Sequence, residues 1–218
     1  SDAGVEESHA HDGVPLNGSG TLAMPHAVTS RTAGGQTATY SYDARGRQIG
    51  GGGREVTWKP FDLPKEIHQG GVTRFAYDAF GTRVRKQRLS SAGAGSVTEE
   101  TLTLGGLYER RWSAAAPNQA EHVYYVHGTE GPVAQVIYEE SANAGDSNEK
   151  TLYLQQEALG SVGLVTDGIG NEVERTYFEP FGGKVDASGK AASPLLGQVK
   201  LGFTGHRHDD ELDLVNMV

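Results

Sequence analysis

The 218-residue sequence lacks cysteine, which excludes disulfide bonds and thiolate chemistry. It also lacks an apolar run long enough to cross a membrane as a helix, so no membrane span is expected. The formal net charge is −9, and phosphate binding needs clustered Lys and Arg, so we expect no nucleic-acid partner. The single basic run, RVRKQR at 83–88, is typical of a solvated strand edge or strand face.

Hydrophobic residues are scarce at 36% of the chain, whereas glycine is abundant at 31 residues. This composition favours half-buried sheet with many tight turns over helical bundles. The sequence shows no amphipathic helix pattern longer than about ten residues, and only a short helix around 209–215 is compatible with it. We therefore predict an all-β fold built of serial hairpins.

The clearest β pattern runs from Thr151 to Gly183. Leu152 and Leu154 alternate at its start, and a second alternating stretch begins at Val173. Between them, residues 167–171 (DGIGN) carry turn-forming side chains. The pattern predicts two strands joined by one turn.

A Tyr–Asp motif occurs twice, as YDARGR and YDAFGTR. TYFEPFGG at 176–183 is a degenerate third copy, with Glu179 at the position where an acid is expected. We expect the Asp to accept backbone N–H bonds, the Gly to take positive φ, and the Tyr ring to pack across neighbouring hairpins. Units of about one hairpin are too small to bury a core alone, so they must stack. The motif residues are Tyr42, Asp43, Gly46 and Arg47 in the first copy, and Tyr77, Asp78, Gly81 and Arg83 in the second.

Two further blocks extend this series, namely ALGSVGLVTDGIGNEVER…YFEPFGG and GFTGHRHDDELDLVNM. With GGLYERR and the Tyr–Asp copies, they resemble the RHS or Tyr–Asp repeat proteins. That family includes the C-type subunits of bacterial toxin complexes and polymorphic toxins. The resemblance covers the chain from about residue 11 to its end. It adds these motif residues: Leu159, Gly160, Ser161, Pro180, Phe181, Gly182, Gly202, Phe203, Gly205 and His206.

The resemblance implies a ribbon of hairpins that forms a hollow β-shell around a toxic C-terminal segment. We expect residues 1–20 to be a loose lead-in or a degenerate repeat. Residues 21–218 are expected to be a repeat domain that lacks the plug, the autoprotease and the toxin. The implied partners are the rest of the same shell, its toxin, and a delivery-system or B-type toxin-complex component. The implied location is that of an exported bacterial protein. For this part of the chain, the resemblance implies no cofactor and no enzymatic activity.

The sequence departs from the family ahead of the Leu-Gly-Ser motif. Gln155, Gln156 and Glu157 stand where the family usually has a His and an Asp. Leu212 and Asp213 also follow Glu211, where the family usually has Thr-Gly or a similar turn. A chemical role for the polar positions of these two motifs is therefore not expected, whereas their leucines, Leu159 and Leu212, keep a packing role.

The densest polar cluster is His206, His208, Asp209, Asp210 and Glu211. In a strand its two histidines would share a face, which is the spacing of a His-x-His metal pair. The alternative, which we favour, is that these groups bond a turn and neighbouring strands, so no catalytic or metal residue is predicted. Two rival functions stay open: the cluster assists self-cleavage, or rows of tyrosine bind carbohydrate or another surface.

Overall fold

The computed structural model describes residues 8–10, 14–15, 21–22, 27–90, 95–140, 148–190 and 199–216. Across these residues the regular structure is β-strand with two 3₁₀ turns, so the predicted all-β fold is confirmed. In the described part of the chain, no helix has the length and apolar character needed to span a bilayer.

The chain divides into two compact units. Unit 1 comprises Ser1–Ala76 and Arg88–Ser96, and unit 2 comprises Tyr77–Gln87 and Val97–Val218. The divisions therefore fall just before Tyr77 of the second Tyr–Asp copy, within the basic run at 83–88, and after Ser96.

Unit 1 is a series of antiparallel hairpins, in which strands β4 to β9 pair in chain order, β1 pairs with β4, and β2 pairs with β3. Its core is small because alternate residues face solvent, and Val56 and Ile67 form one buried cross-strand pair in it. The strands are β1 (Ser8–Ala10), β2 (Val14–Pro15), β3 (Thr21–Leu22), β4 (Ser30–Ala33), β5 (Gln36–Tyr42), β6 (Gln48–Gly51), β7 (Arg54–Trp58), β8 (Pro64–His68) and β9 (Val72–Tyr77, as far as Ala76).

Unit 2 continues the hairpin pattern, with β11 to β17 paired antiparallel in chain order, and β18–β19 and β20–β21 forming two separate hairpins. The 3₁₀ turns lie at Phe203–Gly205 and Asp210–Leu212. The strands are β10 (Arg83–Leu89, as far as Gln87), β11 (Val97–Leu104), β12 (Tyr108–Ser113), β13 (Glu121–His127), β14 (Pro132–Glu139), β15 (Asn148–Gln156), β16 (Val162–Thr166), β17 (Glu172–Arg175), β18 (Tyr177–Phe178), β19 (Lys184–Val185), β20 (Arg207–Asp209) and β21 (Leu214–Asn216).

The two faces of the unit 2 sheet differ in burial. The covered face carries the buried side chains of Val123, Ile137, Leu152 and Val165, and the C-terminal segment (residues 199–216) packs against it through Val199 and Leu201. The open face carries Tyr108, Tyr124, Tyr138 and Tyr153, the last three of which are well exposed. The C-terminal segment therefore gives one face of the sheet the apolar partner that a sheet needs for burial.

The Thr151–Gly183 stretch contains two more turns than predicted, at 157–161 and at 179–183. β15 pairs with β16 around residues 157–161, and β16 then pairs with β17 around residues 167–171. The prediction of two strands was wrong because Glu157 opens a turn at Gly160, which has a φ of +84°. The short helix considered for 209–215 is present only as the 3₁₀ turn Asp210–Leu212, which joins β20 to β21.

Candidate functional site

One hydrogen-bonded turn recurs along the chain. In the first motif copy the Asp43 N–H donates to the Arg47 carbonyl at 2.9 Å, and the Gly46 N–H donates to the Asp43 carbonyl at 3.0 Å. Gly46 has a φ of +82° and Gly81, at the same place in the second copy, has +86°, which explains why glycine occupies this position. The same two backbone bonds close the turns that begin at Asp78, Glu157, Asp167, Glu179, Asp186 and Gly202.

The acid of the motif caps its own turn. Asp43 Oδ1 accepts the N–H groups of Arg45 and Arg47 at 2.9 and 3.0 Å. Asp78 Oδ1 accepts the corresponding N–H groups of Phe80 and Thr82, both at 2.9 Å. This is the capping role expected from the sequence for the two motif copies. Asp167, in the predicted turn at 167–171, and Asp186 make the same pair of bonds.

Two blocks that are far apart in the sequence meet at one place in unit 2. Ser161 Oγ accepts the N–H of Thr204 at 3.0 Å, and the Val162 N–H donates to the Gly202 carbonyl at 3.1 Å. A Cβ on Gly160 would lie 3.8 to 4.0 Å from Thr204 and Gly205 backbone atoms. The Leu-Gly-Ser turn and the Gly-Phe-Thr-Gly turn are therefore packed backbone to backbone.

The Pro-Phe-Gly turn joins the same place. A Cβ on Gly182 would lie 3.1 Å from Phe203 and 3.3 Å from Val215, so only a glycine fits there without displacement. The Phe178 ring centroid is 5.9 Å from that of Phe203. We call this meeting of the three turns, at 160–161, 182 and 202–205, the motif junction.

The residues at the tips of these turns do not pack in the junction. Pro180 and Phe181 occupy the two central positions of the Glu179–Gly183 turn, and Phe181 is 96% exposed. Leu159 occupies the equivalent position in its turn and is 72% exposed. The packing role expected for the leucines therefore fails at Leu159 and holds at Leu212, which is fully buried.

The two histidines of the polar cluster bond to different partners. His208 is buried, and its Nε2 accepts the N–H of Phe203 at 3.0 Å, which assigns the ring proton to Nδ1. Burial lowers the pKa of His208 to about 4, so the ring is neutral near pH 7. His206 Nδ1 lies 2.8 Å from Thr204 Oγ1. Among the described residues, no three His, Cys, Asp or Glu side chains converge as a metal would require.

Asp209 is a buried carboxylate held by two cations. Arg83 binds it with both terminal nitrogens, at 2.5 and 3.2 Å, and the Lys86 ammonium lies 2.8 Å from its Oδ1. Lys86 also donates to Glu211 at 2.7 Å. Burial alone would raise the pKa of Asp209, but the charges of Lys86 and Arg83 outweigh it and lower the pKa.

Asp210 has its own pair of cations. Its two oxygens accept from Lys184 at 3.0 Å and from Lys200 at 3.1 Å. Burial would raise the pKa of Asp210, but the hydrogen bond and charge of Lys184, with Lys200, lower it. Asp209 and Asp210 are therefore both ionised and separately neutralised, unlike a carboxylate pair that shares one proton. The favoured expectation, that the cluster bonds neighbouring structure, agrees with these contacts.

Sequence reasoning missed the cations and acids that fix the C-terminal segment. The basic run was expected to be solvated, which is wrong for Arg83 and Lys86, whose side chains are only 11% and 18% exposed. Arg207 contacts the buried Glu109 carboxylate and lies over the Tyr125 ring at 5.1 Å, and burial lowers its pKa to about 10. The sequence feature that could have identified Glu109 as a buried acid is its position in an alternating strand, on the side that faces the core.

The tyrosines of the two motif copies occupy different surroundings. The Tyr42 hydroxyl donates to the Val28 carbonyl at 2.7 Å within unit 1. Burial raises the pKa of Tyr77 to about 12, in the electrostatic field of Arg83 and Asp209. The second copy of the motif is thus part of the charged environment of the C-terminal segment.

Comparison with known proteins places the fold among toxin-complex structures. No protein-family model matches the chain, and no curated protein matches its sequence. A TcdB2–TccC3 crystal structure matches with a TM-score of 0.62 at 14% identity, over 85% of this chain and 11% of the other. The pore of the Photorhabdus luminescens Tc holotoxin, with a mutation in TccC3, matches at 0.63 and 15% identity, over 85% and 10% of the two chains. A TcdB2–TccC3–Cdc42 structure matches at 0.63 and 15% identity, over 98% and 12%.

These likenesses are of fold. The chain spans only about a tenth of the length of the solved chains it matches.

Proposed function

We propose that this chain is a segment of an RHS-type shell in a bacterial toxin complex, where its hairpins form part of the wall around a toxin. The likeness of its fold to TcdB2–TccC3 structures supports this role. The observation that carries the proposal is the motif junction, because the residues that resemble the repeat family are the ones that hold three distant turns together.

In this role the C-terminal segment stabilises the wall. Val199, Leu201 and Leu212 are buried within unit 2, and full burial of such a side chain contributes about 1.5 to 3 kcal/mol. The ion pairs at Asp209 and Asp210 contribute less net stability than their charge attraction alone would give, because the cost of desolvation offsets much of that attraction. Their main effect is to fix the register of the segment on the sheet, since any shift leaves a buried carboxylate without its cations.

The proposal also covers partners and location. The chain would contact the remainder of its own shell and the enclosed toxin, and the shell would join a B-type component, as TccC3 is found with TcdB2 in the matched structures. It would be exported from a bacterium as part of that complex. In this proposal the chain forms part of the wall and contributes no reacting group, because lysine and arginine neutralise the acids of the polar cluster.

The test uses the natural full-length protein in a sizing column, with intact-mass measurement of the eluted peak. Enclosure predicts two masses, shell and cleaved toxin, that elute together and separate only in denaturant. A single mass, or a toxin that elutes apart from the shell under native conditions, would contradict enclosure.

The same preparation tests the rival idea that the polar cluster cleaves the chain. Replacing both acids, in a full-length Asp209→Asn, Asp210→Asn variant, should leave two masses in the peak. A folded double variant that yields one uncleaved mass would instead give these acids a chemical role.

A further inference from the structure

A cavity of about 230 Å³ lies within unit 2, between the C-terminal segment and the ends of three hairpins. That volume equals about seven or eight waters at roughly 30 Å³ each, which is room for a small molecule. Pro132 and Leu201 supply apolar carbon to its wall. The wall also carries two arginines and two histidines, namely Arg83, His127, His206 and Arg207.

The charged side chains in this wall are both cationic, and none of the described residues that line it is Asp or Glu. Asp209 and Glu109, the acids that contact Arg83 and Arg207, line a smaller cavity of about 40 Å³ instead. The two cavities share both arginines, so each arginine lies between its acid and the larger cavity. The larger cavity therefore presents cationic or neutral groups, in a chain whose formal net charge is −9.

Arg207 is held in place at this cavity by its other contacts. Its guanidinium lies over the Tyr125 ring at 5.1 Å, and its bonds to Tyr125 and Glu109 start from Nη1. A guanidinium has five N–H donors, so those on Nε and Nη2 can reach a ligand. Burial and then the charge of Arg83 lower the pKa of Arg207 to about 10. A bound anion would offset the repulsion between the two guanidinium groups.

Each histidine of the wall uses one ring nitrogen for a bond within the protein. His127 Nε2 donates to the Gly106 carbonyl at 3.2 Å, because a carbonyl can only accept. The Thr204 hydroxyl donates to the Phe203 carbonyl at 2.8 Å, so its oxygen accepts from His206 Nδ1 at 2.8 Å. The second nitrogen of each ring can therefore take up a proton and donate it to an anion.

From this wall we infer that the cavity is a binding site for a small organic carboxylate. The planar fork of an arginine matches the two oxygens of a carboxylate, and the histidines can add further donors. The apolar carbon of Pro132 and Leu201 suits a short hydrocarbon body on the same ligand. An inorganic anion would leave that part of the wall without a partner.

This inference goes beyond the proposed shell function and does not depend on it. The test titrates the whole chain with sodium pentanoate in a calorimeter, at pH 7 and constant ionic strength. Pentanamide, which has the same length and no charge, is the matched ligand control. We expect saturable binding of pentanoate and at least tenfold weaker binding of pentanamide. No binding of pentanoate, or equal binding of the two, would overturn the inference, as would binding of inorganic phosphate in place of pentanoate.

Two variants locate the binding in this cavity. Arg207→Lys keeps the charge beside Glu109 and loses the planar fork, so it should weaken pentanoate binding about tenfold. His127→Gln changes an exposed side chain of the same wall and should weaken binding a few-fold without unfolding the chain. His68→Gln, in unit 1, is the matched control and should bind like the original chain.

Thermal melts check that each variant is folded, and His127→Gln keeps the test decisive if Arg207→Lys does not fold. An unchanged affinity in a folded Arg207→Lys variant would overturn the assignment to this cavity. Equal weakening by His127→Gln and His68→Gln would overturn it as well.

Discussion

The two copies of the Tyr–Asp motif form the same turn and use their arginines differently. In unit 1 Arg47 donates from Nε to Asp43 of its own turn at 2.7 Å, and its Nη1 donates to Asp62 at 3.1 Å. In unit 2 Arg83 binds Asp209, a residue 126 positions later in the sequence. The first arginine therefore reinforces a local turn, and the second fastens the C-terminal segment to the strand that follows the motif.

A one-residue difference in spacing explains this divergence. Arg47 is the fifth residue of its turn, counted from Asp43, so its side chain returns to the acid that opens the turn. Thr82 takes that place in the second copy, and Arg83 becomes the first residue of β10. Because side chains alternate along a strand, moving the arginine by one residue changes the side to which it points.

The largest expected difference comes from removing each arginine. Arg83→Ala leaves the buried Asp209 with Lys86 as its remaining cation, and we expect a loss of about 3 kcal/mol in the free energy of unfolding of unit 2. Arg47→Ala removes a partner from two partly exposed acids and should cost much less. Urea unfolding of both variants checks this, and similar losses for the two would break the comparison.

The next effect concerns the packing of the motif junction, which lies in unit 2. A Cβ on Gly202 would lie 2.6 Å from the His208 ring and 3.3 Å from Phe178, so Gly202→Ala should cost about 2 kcal/mol through overpacking. Gly168→Ala is the control, since a Cβ there meets nothing within 4 Å. Thermal melts should separate the two variants, and equal melting temperatures would contradict a tightly packed junction.

A pH effect is also expected in unit 2, at His208. The unfolded chain takes up a proton on His208 near its ordinary pKa of 6.5, whereas the folded protein resists until about pH 4. The stabilising contribution of neutral His208 is therefore complete above pH 6.5 and is lost as the pH falls toward 4. The charged groups that act on the ring are Lys184, Asp209, Asp210 and Asp213.

His208→Gln keeps a side-chain acceptor for the Phe203 N–H and removes this titration. Amide exchange in residues 199–216 should rise between pH 7 and pH 5 in the original protein, after correction for intrinsic rates, and rise less in the variant. His206→Gln is the matched control. An equal rise in the original protein and in His208→Gln would show that protonation of His208 does not cause the effect.

The smallest difference is expected at the capping acids, where the copies agree. Asp43→Ala and Asp78→Ala each remove an oxygen that accepts two backbone N–H groups, and each should cost about 1 kcal/mol. Matched urea denaturation curves would measure both. A cost confined to one copy would show that the turns are not equivalent.

The sequence predicted what local physics determines. Alternating side chains indicated the strands, and the positive φ required at Gly46 and Gly81 followed from the turn chemistry. The turn at 157–161 was not predicted because its acid is a glutamate. Its backbone forms the same two hydrogen bonds without the short aspartate side chain that caps the other turns. The resemblance to repeat proteins indicated which turns mattered, and the structure then placed three of them together.

The partners of the polar cluster could not be predicted, because they depend on contacts between distant residues. Nothing local to Asp209 indicates Arg83, and nothing near Arg207 indicates Glu109. A basic run such as 83–88 is equally compatible with solvent and with buried carboxylates until the C-terminal segment is placed. The grouping of the open-face tyrosines could not be predicted either, because it depends on the strand register that places Tyr108, Tyr124 and Tyr138 near one another.

The most direct test of the account is a double-mutant cycle between Arg83 and Asp209, measured as the free energy of unfolding of unit 2 and compared with a cycle between Arg47 and Asp43. The account predicts a coupling of about 2 kcal/mol for the buried pair and a much smaller coupling for the local one. A coupling near zero between Arg83 and Asp209 would contradict it, because the second motif copy would then not hold the C-terminal segment in place.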